Sequence, residues 1–362
     1  MKILISRLGM LGDTLFTLPA ASNIQAKYPN AKLYFLASPP GNKLLEAFGF
    51  KGQILTYNIY YPKLTKYFLR KKLSKIQFDY FFNFDCSEEF HSFYQTTVNT
   101  KKWFRMTNKI TEDGTKQLIQ ETGSGLKTHI VDQYNKLIEM ADIPVIKKDY
   151  VFPDYQNNIE KFEKSFSKKL KSSPNNLLFG IHPGNHAYNT NTLFKDLGFI
   201  PRAWSLNNFA KLGLLLYKRY PGCKIVLTGS FYEKKLTNKI EKQLIKNNIP
   251  VINLAGRTNN LFKFLGLLKS LNLFFCTDTG PMHLAAALQV PLISIFCSAD
   301  PKDTGPKGNP EYFQVVTPDM KCFPCVHTDH HEQCPPGTNC VEVLSPEIVL
   351  EKTKTFRSNK LS

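Results

Sequence analysis

The chain begins with the stretch Lys2-Ile-Leu-Ile-Ser6-Arg7-Leu-Gly9-Met-Leu-Gly12-Asp13. The apolar run Lys2–Ser6 predicts a buried strand, and the glycines after it predict a tight turn that lets the backbone approach a ligand. The following residues, Thr14–Tyr28, predict a helix that ends before Pro29. A buried strand, a turn and a helix in this order are typical of the first unit of a parallel α/β sheet.

The same alternation continues along most of the chain, except over residues 86–150, where no pattern is clear. Further strands are predicted at Ala31–Ala37, Asp79–Phe84, Leu177–His182, Lys224–Thr228, Val251–Leu254, Leu273–Thr277 and Pro291–Phe296. Two such series in 362 residues predict an α/β protein with two Rossmann-like domains, each with a parallel sheet, that face each other across a cleft. Ligands of such sheets bind beyond the carboxyl ends of the strands.

The domain boundary is expected near a Lys-rich segment, 157–173, that ends in Ser-Ser-Pro-Asn-Asn. We therefore predict an N-terminal domain over residues 1–172 and a C-terminal domain over residues 173–345. Residues 346–362 are expected to form a C-terminal helix or tail.

The charge of the chain is strongly basic, since 47 Lys and Arg against 29 Asp and Glu give 47 − 29 = +18. The excess is spread over both halves, and no nucleic-acid-binding signature accompanies it, so we expect no nucleic-acid partner. No secretion signal and no apolar run long enough for a membrane span is visible. We therefore expect a cytoplasmic protein, in which disulfides are uncommon.

Asp13 is the first candidate catalytic residue, because it follows the first strand and a carboxylate there can accept a proton from a hydroxyl. The alternative is that Asp13 caps the helix that begins at Thr14. The glycine spacing is Gly-x-x-Gly, so the dinucleotide-binding fingerprint Gly-x-Gly-x-x-Gly is absent.

Polar residues also follow several strands of the second series. The segment Asp278-Thr279-Gly280-Pro281-Met-His283 follows one strand, and its helix start would offer free N–H groups to a phosphate. Thr279 would add a hydroxyl, and Asp278 would bind sugar hydroxyls. His182 and Thr228 end two other strands and should reach the same edge. The alternative is a set of ordinary capped turns without a ligand.

Taken in order, these motifs resemble those of glycosyltransferase family 9, the lipopolysaccharide heptosyltransferases. The matching segments are Leu8–Pro19, His182-Pro-Gly, Arg202-Ala-Trp204, Leu254-Ala-Gly256-Arg-Thr258, Thr277–Ala287 and 300–308, together with the C-terminal cysteines. The resemblance implies a GT-B fold, with the donor nucleotide sugar bound by the C-terminal domain and the acceptor by the N-terminal one. It also implies inverting transfer of a sugar, commonly heptose from ADP-heptose, to a lipopolysaccharide-core or related surface saccharide.

The resemblance also implies roles for individual residues. Asp13 matches the family's proposed catalytic base, Arg202 a cation that contacts the donor phosphate, and Glu233 a glutamate that binds the ribose. The segment from Asp278 to His283 matches the donor-binding motif. The sequence departs from the family after Trp204, where the usual proline is missing, and in residues 186–201, which resemble an insertion. Another nucleotide sugar, or a non-catalytic protein that binds nucleotide sugars or polyanions, therefore remains an alternative.

No Asp-x-Asp pair occurs in the donor region, so we expect no cofactor to be required for the chemistry. A structural metal is a separate possibility, because Cys322, Cys325, Cys334 and Cys340 lie within 19 residues and could bind zinc. His327, His330 and His331 are alternative ligands nearby, and unligated thiols or disulfides are the other interpretations. The remaining cysteines, Cys86, Cys223, Cys276 and Cys297, are expected in the core.

The densest basic stretch, residues 63–75, mixes six Lys and Arg with Leu64, Tyr67, Phe68 and other apolar residues. As a helix it would suit an anionic membrane surface or a phosphorylated glycolipid acceptor, with Lys66, Arg70 and Lys71 as contacts. We therefore expect peripheral attachment to the inner face of the cytoplasmic membrane. A solvated surface helix is the alternative.

Overall fold

The structure is a computed structural model that describes residues 1–58, 60–120, 128–150, 156–170, 176–184, 203–258, 260–326 and 340–356. It divides into two compact units. The first comprises Met1–Thr122 and Leu126–Tyr150, and the second comprises Gly123–Gly125 and Val151–Ser362.

The first unit is built on a six-stranded parallel sheet with the strand order β3-β2-β1-β4-β5-β6. Its strands are β1 (Lys2–Arg7), β2 (Lys32–Ala37), β3 (Gln53–Thr56), β4 (Gln77–Asn83), β5 (Asn99–Thr107) and β6 (Lys116–Ile119). Its helices are α1 (Leu11–Phe16), α2 (Leu18–Lys27), α3 (Pro39–Phe48), α4 (Pro62–Leu73), α5 (Glu88–Gln95) and α6 (Ile130–Glu139). The apolar strand β1 pairs with β2 and β4, so it occupies the centre of the sheet.

The centre of this sheet is covered on both faces, which explains why consecutive residues of β1 are apolar. Ile3, Leu4 and Ile5 are all fully buried. On strand β5, the half-buried Trp103 packs its ring against Phe81 at a centroid distance of 5.0 Å. The aromatic residues of β4 and β5 thus form much of the core of the first unit.

The helix predicted over Thr14–Tyr28 is instead two helices, α1 and α2, which meet at Thr17. Pro19 lies in the first turn of α2. Proline has no N–H, and its ring clashes with the carbonyl of the preceding turn, so a continuous helix through this position is disfavoured. The Thr17 hydroxyl donates a hydrogen bond to the Thr14 carbonyl at 2.7 Å, which stabilises the junction.

The second unit contains another six-stranded parallel sheet, with the order β12-β11-β10-β7-β8-β9. Its strands are β7 (Leu178–His182), β8 (Lys224–Leu227), β9 (Val251–Asn253), β10 (Leu273–Thr277), β11 (Leu292–Ile295) and β12 (Phe313–Val316). Its helices are α7 (Gln156–Leu170), α8 (Leu206–Arg219), α9 (Lys234–Lys246), α10 (Leu261–Ser270), α11 (Gly280–Ala287), α12 (Pro301–Thr304), α13 (Cys340–Val343) and α14 (Pro346–Glu351). The prediction of an α/β chain with two Rossmann-like parallel-sheet units is confirmed.

The division between the units falls at residue 150, whereas the Lys-rich segment predicts a boundary after residue 172. The reason is that α7 packs closely on α10, where Gly266 lies against Phe162 and Glu163. A side chain at position 266 would overlap the α7 backbone, so the glycine permits this close approach.

The C-terminal segment also belongs to the second unit as far as residue 356, although it was predicted as a separate helix or tail. Val349, Leu350 and Phe356 are buried in the same core as Trp204. The Trp204 indole N–H donates to the Leu344 carbonyl at 2.7 Å and links this segment to the start of α8. In the described ranges, no helix has both the length and the apolar character needed to cross a bilayer.

Candidate active site

The carboxyl edge of the first sheet carries an ion-paired cluster around Arg7, the last residue of β1. One guanidinium nitrogen, Nη2, lies 2.6 Å from Asp13 Oδ1, and the other, Nη1, lies 3.4 Å from Asp85 Oδ1. Asp85 follows β4 in the chain, and its carboxylate also accepts hydrogen bonds from the Leu8 N–H at 2.6 Å and the Tyr94 hydroxyl at 3.1 Å. Two neighbouring strand ends therefore bring these three charges together.

Asp13 is the third residue of α1, and the N-cap position, which the alternative interpretation assigned to Asp13, belongs to Met10. The second carboxylate oxygen of Asp13 accepts the Met10 N–H at 2.8 Å, which satisfies one of the free donors at the helix start. Its side chain is 32% exposed, so the carboxylate is accessible to a substrate hydroxyl. A Cβ at Gly9 would collide with it, which explains the glycine in this turn.

The charges of this cluster differ in their exposure. Burial raises the pKa of Asp85, which is 2% exposed, and the Arg7 charge and the Leu8 N–H oppose that rise. Burial likewise disfavours the charge of Arg7, but nearby Tyr134, Asp13 and Asp85 raise the pKa of its guanidinium overall. Arg7 is therefore a permanent cation between two carboxyl groups.

The carboxyl edge of the second sheet brings together polar residues from adjacent strands. β7 lies between β10 and β8, and His182 ends β7 while Thr228 follows β8. The His182 Nδ1 and the Thr228 hydroxyl are 3.0 Å apart, and both side chains are buried. Thr277 ends the neighbouring strand β10, and its buried hydroxyl has no hydrogen-bond partner in the described part of the chain.

Glu233 joins this edge from the start of α9, where it is the N-cap residue and only 6% exposed. Its Oε2 accepts the Ser230 N–H at 2.6 Å. The carboxylate lies directly against Gly184, where a Cβ would overlap it. Burial lowers the pKa of His182, and the Glu233 charge opposes this effect. His182 is therefore neutral near pH 7, and its Nδ1 can either donate a hydrogen bond to the Thr228 hydroxyl or accept one from it.

The helix α11 begins at this edge immediately after β10, with Thr279 as its N-cap residue. Thr279 is extended and gives no side-chain cap to the helix; its hydroxyl donates to the Thr277 carbonyl at 3.3 Å. Gly280 is the first helical residue, and Pro281 has no N–H to satisfy. Asp278, Thr279, Gly280 and Pro281 are half-buried, whereas His283 is buried. The N-terminus of α11 thus points a partial positive charge at the strand-end site, which suits a phosphate.

A turn after β9 completes this edge. Gly256 has φ +70°, a conformation that favours glycine, and its N–H donates to the Gly229 carbonyl at 2.8 Å. The exposed Arg257 follows it and adds a cation near the loop that carries Glu233.

Helix α4 of the first unit presents an unusual outer face. Its inner face is fixed by the buried Leu69 and Leu73. Leu64, Tyr67 and Phe68 on its outer face, and Tyr60 and Tyr61 just before the helix, are 57–78% exposed. Arg70 and Lys71 are exposed as predicted, but Lys66 is 26% exposed and forms an ion pair with Glu89 at 2.6 Å.

The structure describes only part of the predicted cysteine cluster. The backbone N–H of Cys325 donates to the Ser298 carbonyl at 3.0 Å, and the thiol of Cys340 hydrogen-bonds to that of Cys297. No three potential metal ligands group together among the described residues. Cys334, His327, His330 and His331 lie outside the described residues, as do Arg202 and the segment 186–201.

Two functional candidates were missed in the sequence. Arg7 stands in the first motif, and Asp85 directly follows a predicted strand, but neither is assigned a role from the sequence alone. A signal for Asp85 was present, because it follows the predicted strand Asp79–Phe84 in the position where ligand-binding residues are expected. Trp204, by contrast, which stands in a family motif, is a fully buried core residue.

Comparisons with known proteins agree with this architecture. The sequence model of glycosyltransferase family 9 (heptosyltransferase) matches residues 124–335. Lipooligosaccharide heptosyltransferase 2 of Campylobacter jejuni (serotype O:2) is 27% identical over 371 residues, which cover 99% of both chains.

Among solved structures, the glycosyl transferase family 9 protein of Veillonella parvula has a TM-score of 0.78 at 15% identity and covers 98% of this chain and 96% of its own. The E. coli ADP-heptose lps heptosyltransferase II has a TM-score of 0.68 at 17% identity, with 99% and 100% covered. E. coli heptosyltransferase WaaC, solved with ADP-2-deoxy-2-fluoro heptose, has a TM-score of 0.66 at 15% identity, with 98% and 99% covered.

These likenesses confirm the predicted GT-B fold. Since the family model covers more than half of the chain, the resemblance noted in the sequence is also confirmed, and the chain belongs to glycosyltransferase family 9, the heptosyltransferase family.

Proposed function

We propose that the protein is an inverting transferase that moves heptose from ADP-heptose onto a lipopolysaccharide-core or related surface saccharide. The observation that carries the proposal is the carboxyl edge of the second sheet, where His182, Thr228 and Glu233 meet the N-terminus of α11. The full-length similarity to a lipooligosaccharide heptosyltransferase 2 and the ADP-sugar in a related structure support this choice of donor.

In this proposal the second unit binds the donor. The N-terminus of α11 faces the diphosphate, and Arg202 adds a positive charge to it. Asp278 and Glu233 bind hydroxyls of the sugar and the ribose. These groups stabilise the negative charge that grows on the diphosphate as it leaves. No residue of this set requires a metal, and we expect no cofactor to be needed for the chemistry.

The proposed reaction has a single displacement step. Asp13 accepts the proton of the acceptor hydroxyl, and the hydroxyl oxygen forms a bond to the anomeric carbon of the heptose. The bond between that carbon and the diphosphate oxygen breaks, and ADP leaves with the electron pair. Attack opposite to the leaving group inverts the anomeric configuration.

We also propose that the protein acts at the inner face of the cytoplasmic membrane, held there by the outer face of α4. Residues 51–78 contain no Asp or Glu and seven Lys or Arg. Exposed aromatic and basic side chains on one helix face are the combination that binds the interface of an anionic bilayer. A lipid-linked acceptor would be presented at the same surface.

A structural metal is the third part of the proposal. We propose that Cys322, Cys325, Cys334 and Cys340 bind zinc outside the reaction centre. Support comes from the convergence of two of them on one segment, since the Cys325 backbone bonds to Ser298 and the Cys340 thiol to Cys297. Four thiolates are a common structural zinc site.

A thermal-shift panel of nucleotide sugars followed by a transfer assay tests the main proposal. ADP-heptose and ADP should raise the unfolding temperature, whereas UDP- and GDP-sugars should not. Incubation with a lipopolysaccharide-core acceptor and excess chelator should release ADP and give an inverted product. Stabilisation by another nucleotide sugar would identify a different donor, and binding without transfer would indicate a non-catalytic protein.

A further inference from the structure

The carboxylate of Asp13 is held at both of its oxygen atoms. Oδ1 accepts from Arg7 Nη2 at 2.6 Å, and Oδ2 accepts from the Met10 N–H at 2.8 Å. The second contact comes from the backbone of its own turn. The first comes from another element, so the geometry of Arg7 determines the direction in which the carboxylate points.

Arg7 is itself fixed by a partner that is more deeply buried than Asp13. Its Nη1 lies 3.4 Å from Asp85, which is 2% exposed and accepts two further hydrogen bonds, from Leu8 and Tyr94. The guanidinium is planar, so fixing one nitrogen on Asp85 also fixes the other nitrogen that contacts Asp13. A lysine has a single terminal nitrogen and would not hold both carboxylates in this way.

We propose that Arg7, anchored by Asp85, is the positioning residue for Asp13: it orients the carboxylate and remains charge-balanced when Asp13 takes up a proton. This inference rests on the role of Asp13 in the proposed function.

The need for two carboxylates follows from the proton transfer. When the acceptor hydroxyl gives its proton to Asp13, that side chain becomes neutral and no longer balances Arg7. A buried cation without a partner is strongly unfavourable. Asp85 stays 3.4 Å from Arg7 Nη1, so the guanidinium keeps a carboxyl partner when Asp13 is protonated. The other titratable groups that act on Arg7 are Tyr134 from α6 and Cys86 after β4, both neutral near pH 7.

The test compares Asp85→Asn with Arg7→Gln. Asp85→Asn leaves Asp13 as the only counter-ion of Arg7, so Asp13 should titrate at lower pH. Arg7→Gln removes the cation, so Asp13 should titrate at higher pH. The titration is followed by NMR of protein labelled with ¹³C-carboxyl aspartate, with the Asp13 signal assigned by its loss in Asp13→Asn. Shifts in opposite directions are expected. Unchanged titration in both folded variants, or shifts in the same direction, would overturn the proposal.

Transfer kinetics give the second readout. Arg7→Lys and Asp85→Asn should each lower kcat by roughly 10–100-fold through misplacement of the carboxylate, with little change in the KM for the donor. The milder Tyr94→Phe, which removes one hydrogen bond to Asp85, should lower kcat less and provides a variant that is expected to fold. The matched control is Asp79→Asn, since Asp79 pairs with Lys101 at the start of β4 and should leave both readouts unchanged.

The two readouts separate the possible failures. If the wild-type protein transfers no sugar, the proposed function fails, and the NMR titration still decides the role of Arg7. If the wild type is active and Arg7→Lys and Asp85→Asn keep wild-type kcat, the proposed function stands and the positioning role is wrong.

Discussion

The carboxylate of Glu233 lies directly against the α-carbon of Gly184, so that a methyl group at position 184 would occupy the space of the carboxylate. Glu233 cannot move away freely, because its Oε2 is bonded to the Ser230 N–H at 2.6 Å. The glycine after β7 therefore leaves the space that the Glu233 carboxylate occupies at the start of α9.

We expect Gly184→Ala to weaken ADP binding by about tenfold, because one hydrogen bond to the nucleotide through Glu233 is misaligned. Isothermal titration calorimetry measures the effect. In a Glu233→Ala background, Gly184→Ala should weaken ADP binding hardly any further, because the carboxylate that the new methyl group displaces is no longer there. Full additivity of the two changes would show that Gly184 acts by another route.

Asp13→Asn should reduce transfer by about 10²–10⁴-fold, because an amide cannot accept the hydroxyl proton. ADP affinity should stay at the wild-type value, since the donor residues belong to the second unit. Rapid turnover by Asp13→Asn, with its product verified, would eliminate Asp13 as the base. Asp79→Asn, an equal change at the opposite end of the sheet, is expected to remain fully active.

The α4 surface should bind anionic vesicles. Arg70→Gln, Lys71→Gln and Lys72→Gln in one variant remove three charges at about 1 kcal/mol each, so binding should fall by roughly 100-fold. The matched variant carries Lys239→Gln, Lys242→Gln and Lys246→Gln on the exposed face of α9, and it should bind like the wild type. Vesicle sedimentation at low and high salt measures both. Equal losses in the two variants would mean that only net charge matters.

Elemental analysis of purified protein tests the cysteine cluster. One zinc per chain is expected, and Cys334→Ser should lower it. Cys223→Ser serves as the control, because Cys223 is a buried core residue outside the segment 322–340 that carries the four candidate ligands. A metal-free protein with titratable thiols at all four positions would refute the site.

The buried ion pair of Arg105 with Asp113, at 3.0 Å, should matter for stability. Asp113→Asn should destabilise the first unit by about 3–5 kcal/mol, since Arg105 is 1% exposed and would lose its counter-ion. The pair of Asp79 with Lys101 is exposed to solvent. Its removal by Asp79→Asn should lower the free energy of unfolding by less than about 1 kcal/mol. Urea unfolding monitors both.

The ion pair of Arg105 with Asp113 also predicts that the stability of the first unit depends on pH. Burial opposes the charge of Asp113, but hydrogen bonds from Thr115 and the charge of Arg105 lower its pKa to about 2. An aspartate in the unfolded chain has a pKa of about 3.9. The contribution of the ionised Asp113 to the stability of the fold should therefore be complete above pH 4 and lost as the pH falls toward 2. Asp113→Asn should flatten this part of the stability profile.

The strand pattern could be predicted well because parallel strands are buried on both faces and therefore read as short apolar runs. Leu273–Thr277, for example, has the same bounds in the prediction and in the structure. Residues 86–150 showed no pattern for the opposite reason. The first five residues of β5, 99–103, are exposed or half-buried, and the buried end of the strand includes the charged Arg105, so β5 has no apolar run. Its connection to β6 contains no helix.

The candidate site could likewise be predicted only where the signal was local in the sequence. Strand-end position was enough to select Asp13, His182 and Thr228, because it depends only on local sequence. The partnership of Arg7 with Asp85 spans 78 positions in the chain and depends on the pairing of β1 with β4. No local pattern encodes that pairing, so the link became visible only in the folded sheet.

The two tryptophans of the chain fall one to each unit: Trp103 lies on β5, and Trp204 is buried beside α8. Each unit thus contains its own intrinsic fluorophore. With excitation selective for tryptophan over the 16 tyrosines, Trp103→Phe leaves emission from the second unit alone, and Trp204→Phe leaves emission from the first. Unfolding of the two halves of this enzyme can therefore be followed separately, without any added label, and their cooperativity read from whether the two transitions coincide.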